Sequence, residues 1–207
     1  AMEWGSPVAA FRPAPSIRKQ QVEFLYGGRS FCVTADFSTP LYETVAEIAD
    51  YDCYFLECFP AKVDGIILDA GANIGVASLV LAARFGSRVF AIEPIESNFR
   101  ALQANLAANP GLDIQPIRAA LAAADGELQL WQVRDHSVSA HMWHGSVEES
   151  PPNLVGHRVP ALSLNSLLKL AGAKQVGVLK MDIEGGEHPW LDSLTPETAA
   201  PIQRITM

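Results

Sequence analysis

Basic runs, long apolar stretches and paired cysteines are missing from this chain of 207 residues, and each absence bears on function. Charged residues make up only 18%, and acids outnumber bases 23 to 15, for a formal net charge of −8. With no cluster of lysine and arginine and no RNA-binding aromatic pattern, the composition argues against a nonspecific grip on nucleic acid or an anionic membrane. The longest apolar stretch, Ile74 to Ala83, is too short to cross a bilayer. No secretory signal is recognisable near the start. Cys32, Cys53 and Cys58 are odd in number and form no Cys-x-x-Cys pair, so they read as free thiols in a reducing cytoplasm.

What the chain does hold is concentrated in one stretch. The apolar run Ile66-Ile67-Leu68 ends in Asp69 and breaks into Ala70-Gly71-Ala72-Asn73-Ile74-Gly75. Val76 to Ala83 then reads as a buried helix, and Val89-Phe90-Ala91-Ile92 is a second short apolar run that ends in Glu93 and Pro94. Strand, glycine turn, helix, strand and acid make a βαβ unit of the kind that holds a nucleoside. A dinucleotide fingerprint would read Gly-x-Gly-x-x-Gly, whereas Gly71 and Gly75 stand four apart behind an acid. That acid repels a pyrophosphate and suits a cationic amino group. Free backbone N–H groups at the helix start near Asn73 suit a carboxylate. S-adenosylmethionine, with ammonium, carboxylate and ribose, meets all three demands, Glu93 accepting the ribose hydroxyls. The plainer alternative is that both glycines serve close strand–helix packing. Asp69 and Glu93 together at the strand ends favour the ligand.

Length and 49% hydrophobic content fit one sizeable core. Residues 1–50 read as an N-terminal tail, small hairpin and helix, and residues 51–207 as the cofactor-binding domain. Val22 to Thr34 alternates around Gly27-Gly28 as a hairpin does. Pro40 suits a helix first turn, continued by Val45, Ile48 and Tyr51. Tyr51, Tyr54 and Phe55 could cover the cofactor mouth, although ordinary core aromatics are the plainer reading. Residues 96–108 form a helix with Phe99, Leu102 and Leu106 on one face, stopped by Asn109-Pro110-Gly111. Asp113 to Ile117 is the third strand, and two short extended pieces flank Asp125-Gly126. Arg134 to His157 reads as a long binding loop with Met142 and Trp143 in its middle. His136, His141 and His144 are too loosely spaced, with no completing cysteine or acid, to hold a metal. Ser163 caps a helix ended by Gly172. Val176 to Glu184 is the next strand, and Ile202 to Met207 a strand just begun. Alternating strands and helices make a parallel sheet covered on both faces.

Lys180-Met181-Asp182-Ile183-Glu184-Gly185-Gly186-Glu187-His188 is the other unusual run. In a strand, Lys180, Asp182 and Glu184 share one face. Unpaired buried charge costs several kcal/mol, so these groups must pair with each other or with a ligand. A structural ion pair is the plainer reading. The functional one puts Asp182 and Glu184 at the carboxyl end of the strand, with Asp182 as general base and His188 as second candidate.

Asp-x-Gly-Ala-Asn-Ile-Gly at 69–75, Glu93-Pro94, Asn98, Asn105 and Lys-x-Asp-x-Glu-Gly-x-Glu at 180–187 together resemble the FkbM family of S-adenosylmethionine-dependent methyltransferases. The resemblance runs from about Val45 onward and implies a class I, Rossmann-like fold. It also implies methylation of a hydroxyl on a sugar, glycan or polyketide-like acceptor. Carried over by position, Asp69, Gly71, Ala72, Asn73, Gly75, Glu93, Pro94 and Asn98 would bind the cofactor. Lys180, Asp182, Glu184, Glu187 and His188 would form the catalytic end. Such sheets normally continue past the point where this chain stops, so the fold is expected to lack its C-terminal strands and to expose an edge open to dimerisation. The rival readings are an NAD-dependent oxidoreductase, an inactive cofactor-binding interaction module and, third, a nucleic-acid methyltransferase, for which the composition offers no basic patch.

Overall fold

Glycine sets the first bend. The computed structural model describes residues 19–36, 39–133, 140–141 and 154–207. Gly27 and Gly28 hold φ of 58° and 78°, the doubly left-handed backbone of a primed hairpin turn. They fold Lys19–Tyr26 (β1) against Arg29–Asp36 (β2), from Lys19 opposite Asp36 to Tyr26 opposite Arg29. Phe31, Val33 and Ala35 alternate inward from β2. Leu41–Val45 (α1) follows Pro40 and widens into a π turn over Ala46–Asp50. Leu41, Val45 and Ile48 join the same core.

The strand read from the apolar run is Ile66–Ala70 (β3), buried at every position. After the glycine turn, Val76–Phe85 (α2) runs between left-handed Gly75 and Gly86. Val89–Ile92 (β4), Glu96–Ala108 (α3) and Ile114–Ile117 (β5) continue the alternation as expected.

Beyond β5 the chain departs from that alternation. Ala120–Leu121 (β6), Gly126–Val133 (β7), Ala140–His141 (β8) and Leu154–Leu162 (β9) form a separate sheet in the order β6-β9-β7-β8. β7 and β9 pair antiparallel from Gly126 opposite Ala161 to Val133 opposite Leu154. The expected loop from Arg134 to His157 is therefore too long, since Leu154 to His157 already belong to β9. Gly156, His157 and Arg158 hid this strand, because its buried positions, Val159 and Ala161, come only in its second half. Met142, Trp143, His136 and His144 lie outside the described residues.

Ser163 caps Leu164–Ala171 (α4) by accepting from the Ser166 N–H, and left-handed Gly172 closes it. Val176–Met181 (β10), Glu187–Asp192 (α5), Pro196–Ala199 (α6) and Ile205–Thr206 (β11) complete the described chain. The expected strand from Val176 to Glu184 ends at Met181, so Asp182 and Glu184 stand in the loop beyond it. The central sheet is parallel, in the order β11-β10-β3-β4-β5. The hairpin and α2 cover one face, and Leu164, Leu167 and Leu168 of α4 with Trp190 of α5 cover the other. The strand order reverses between β3 and β10, the switch point at which open α/β sheets bind ligands. No helix among the described residues is long and apolar enough to cross a membrane.

Asn105 on α3 and Asn109 at its C-cap, one helical turn apart, join the hairpin to this sheet. Asn105 Oδ1 accepts the Thr34 N–H at 2.9 Å, and its Nδ2 donates to the carbonyls of Thr34 and Ile74 at 3.0 and 2.9 Å. Asn109 does the same for Cys32, accepting its N–H at 2.9 Å and donating to its carbonyl at 2.7 Å. Each amide offers the acceptor and donors that a neighbouring strand would present. Asn105→Ala leaves these groups unserved and should destabilise the protein by about 1–3 kcal/mol, measured by urea unfolding. A loss below about 0.5 kcal/mol, the range of ordinary surface changes, would show that water serves the edge equally well.

Candidate active site

A cavity of about 460 Å³ opens at the carboxyl ends of β3, β4 and β10, within the usual range for small-ligand sites. Its floor is the glycine turn. Gly71 holds φ of 76°, and a Cβ there would overlap the carbonyl oxygen of Asp182. Only glycine therefore lets this turn touch the loop after β10, where the Asp182 N–H donates to the Ala70 carbonyl at 3.1 Å. Gly75 holds φ of 97°, and a Cβ there would lie 2.7 Å from Leu102. Both glycines thus serve packing as well as the turn. α2 begins with no side chain capping it, and Val76 and Ala77 of its first turn lie in the cavity wall.

The residues expected to bind cofactor divide into two groups. Gly71, Ala72, Asn73, Glu93, Pro94 and Asn98 line the cavity. Asp69 does not. It is fully buried on the α2 face of β3, where Ser78 Oγ donates to its Oδ2 at 2.5 Å and Lys180 Nζ lies 3.0 Å from its Oδ1. The Lys180 contact is an ion pair off the hydrogen-bonding direction, since Oδ1 accepts no hydrogen bond. The two residues are cross-strand register partners in β3 and β10, so the pleat puts both on one face. Lys180 Nζ also donates to the Gly71 carbonyl at 2.9 Å and reaches the Ala70 carbonyl at 3.4 Å. Asp69 therefore acts on the cavity through Lys180, which holds the glycine turn from behind.

Glu93 is 4% exposed, and its two oxygens accept the N–H groups of Asn73 at 2.9 Å and Ile95 at 2.8 Å. The Asn73 N–H expected to greet a carboxylate is thus turned to Glu93. Burial pushes the Glu93 carboxyl up to about 7, against the pull of those two N–H groups and of Lys180. A carboxylate has about four lone-pair sites, so half of its accepting capacity is left. Asn73 Oδ1 is buried in the wall with no hydrogen-bond donor. Together these features fit a ligand that brings hydroxyl or ammonium donors and a carboxylate.

At the other end, Asp182 lines the cavity, is exposed, and accepts the Tyr54 hydroxyl on Oδ2 at 2.8 Å. Glu184 also lines it, with a left-handed φ of 54°. Glu187 does not: its carboxylate ties the loop by accepting the N–H groups of Ile183 and Gly185 at 2.6 and 2.8 Å. His188 is exposed on α5 and also outside the wall. Thr44, Glu47 and Ile48 of the wall escaped the sequence reading of the site. So did Ala119 to Ala123 with Leu128 and Leu130 behind it, a shelf whose one signal was its run of small residues. Tyr54 was read as a cover of the cofactor mouth or, more plainly, as core, and its hydroxyl has no mark in sequence pointing to a residue 128 positions away.

Residues 69–205 match the methyltransferase FkbM domain. Methyltransferase 1 of Beauveria bassiana (strain ARSEF 2860) is 25% identical over 186 residues, covering 80% of this chain and 75% of that protein. The T. thermophilus 16S rRNA methyltransferase RsmC, solved with AdoMet and guanosine, superposes with a TM-score of 0.33 and 19% identity, over 52% of this chain and 29% of its own. Trm5b from Pyrococcus abyssi gives a TM-score of 0.44 and 14% identity, over 92% of this chain and 39% of its own. The chain spans well under half the length of either solved chain, and likenesses this loose carry no argument about substrate. The family match is different in kind: it begins at Asp69, takes in both the glycine turn and the acidic loop, and covers most of the chain. This chain belongs to the FkbM family of S-adenosylmethionine-dependent methyltransferases.

Proposed function

We propose that this chain is an O-methyltransferase acting on an uncharged hydroxyl acceptor such as a sugar, glycan or polyketide-like compound. The observation that carries this reading is the placement of Asp182 in the wall of the cavity that the glycine turn floors. Gly71, Ala72, Asn73, Gly75, Glu93, Pro94 and Asn98 would hold the cofactor, with the uncapped start of α2 facing its carboxylate. Bound, S-adenosylmethionine supplies an electrophilic methyl carbon whose bonding pair to sulfur leaves with sulfur. Asp182 takes the proton of the acceptor hydroxyl as the oxygen–carbon bond forms, which leaves a neutral ether and a protonated carboxyl. Alignment by the walls can supply about 7–11 kcal/mol of the barrier, and a placed base about 10²–10⁴-fold in rate.

Charge supports the choice of acceptor. Glu47, Glu93, Asp182 and Glu184 line the cavity, against Lys180, whose ammonium is already engaged by Asp69 and two carbonyls. Like charges about 4 Å apart repel by roughly 4 kcal/mol near a protein surface, so a phosphate-bearing acceptor is disfavoured. The apolar wall of Leu121, Leu128, Leu130, Pro189 and Trp190 favours a ligand with a hydrocarbon face. The glycine spacing and the family match both count against a nicotinamide oxidoreductase.

Asp182→Asn should lower methyl transfer by about 10²–10⁴-fold while S-adenosylhomocysteine still binds. Transfer of a radiolabelled methyl group to a panel of methyl glycosides and polyols checks this, and equal activity in the variant would sink the assignment.

Glu93 makes both stability and binding depend on pH. Its folded value of about 7 lies above the ordinary 4.5, so its stabilising contribution is full below about 4.5. That contribution is lost as pH rises to about 7, an effect of about 3 kcal/mol. Glu93→Gln should flatten that part of the pH–stability curve of the ligand-free protein. Because the ionised form accepts ribose hydroxyls, calorimetric affinity for S-adenosylhomocysteine should rise about tenfold from pH 6 to pH 8. The variant should lose that rise; an identical rise in both proteins would remove Glu93 from the cofactor site.

A further inference from the structure

The turn that carries Tyr54 is bent hard. Asp52 and Phe55, neither of them glycine, hold φ of 48° and 53°. The Asp52 carboxylate steadies the bend by accepting the N–H groups of Leu56 and Glu57 at 2.7 and 2.9 Å, and the Phe55 N–H donates to the Asp52 carbonyl at 2.8 Å. Left-handed backbone in such residues persists where the surroundings impose it, and it clusters at functional sites. What this turn aims is Tyr54. Its side chain is buried, Thr206 Oγ1 donates to its carbonyl at 2.5 Å, and Lys180 Nζ lies 5.2 Å from its ring centroid. Its hydroxyl ends on Asp182 in the cavity wall. The turn and Tyr54 itself lie ahead of the family-matched residues 69–205.

We propose that Tyr54 is a positioning residue for Asp182. It fixes one carboxylate oxygen at the cavity wall and leaves the other oxygen to the acceptor hydroxyl. The proposal rests on the reading of Asp182 as general base. A phenol that donates its proton to Asp182 cannot itself take the acceptor's proton. Burial, followed by the charge of Asp182, pushes the Tyr54 hydroxyl above its ordinary range, so it keeps its proton and stays a donor. The charged or titratable groups around the pair include Cys53 and Asp52 on the same turn, Glu47 just before it, Lys180 on β10, Asp69 on β3, and Glu184 on Asp182's own loop. Without the Tyr54 hydrogen bond the carboxylate is free to turn from the acceptor, so the loss falls on turnover and not on binding.

The test uses the full chain with S-adenosylmethionine and an acceptor that the parent methylates. Tyr54→Phe should lower kcat by up to about 10²-fold, the cost of misplacing a reacting group by an ångström, while KM for the acceptor and affinity for S-adenosylhomocysteine stay unchanged. Asp52→Ala, which loosens the turn but keeps the phenol, should lower kcat in the same way, and this arm decides if the phenylalanine variant does not fold. A kcat unmoved by both changes, or a loss that falls on KM, overturns the proposal. The two readings fail separately: full methyl transfer by Asp182→Asn removes the base, whereas an inactive Asp182→Asn with full turnover in Tyr54→Phe removes Tyr54 alone.

Discussion

The ion pair between Asp69 and Lys180 is the contact on which the site depends. It sits at the junction of β3 and β10, almost entirely shielded from water. A buried pair of this kind contributes little net stability against an apolar replacement, yet losing one partner strands the other charge at a cost of about 3–5 kcal/mol. Its value here is geometric. Lys180 reads the carbonyls of Ala70 and Gly71, so the glycine turn is held by the strand that also delivers Asp182. The glycine turn and the Asp182 loop, at the two ends of the cavity, are in this way joined through one junction. Ser78 closes the arrangement from α2 by hydrogen bonding to the second oxygen of Asp69.

Much of this was legible in the residues because local rules agreed with the fold. Buried strands read as apolar runs, glycine marked the turns, and Ser163 and Gly172 bracketed α4. Cross-sheet facts were less legible. Strand alternation explains why Asp69 points to α2 and not into the cavity, but seeing it required knowing that Lys180 would stand directly beside it. Asp182 and Glu184 were expected on the strand face of Lys180; the strand ends at Met181, three residues short of Glu184, and that places them in a loop. β9 was hidden because its first half, Leu154 to Arg158, has no buried position, while its partner β7 lies across the long intervening segment. Tyr54 could not be separated from an ordinary core aromatic, since what distinguishes it is a hydrogen bond to a residue far along the chain.

The cavity joins two chemistries. One side is backbone, glycine and the acceptor atoms of Asn73 and Glu93, the surface a polar, partly cationic ligand needs. The other is a shelf of alanines and leucines from β6 and β7 facing Pro189 and Trp190. Asp182 and Glu184 line the same cavity as both surfaces.

The strand order has a consequence for how the protein reaches this state. β3, β4 and β5 follow one another closely with α2 and α3 between them, so that half can assemble from near neighbours. β10 must then dock beside β3 from 110 positions further along the chain, after the second sheet has intervened. Loop closure over such a span costs entropy before any contact repays it, and non-local parallel pairing is intrinsically slow. The free edge of β3 is therefore exposed for the longest time during folding. It is a fully apolar strand apart from Asp69, and that acid, before Lys180 arrives, acts as a gatekeeper charge against pairing with the wrong strand.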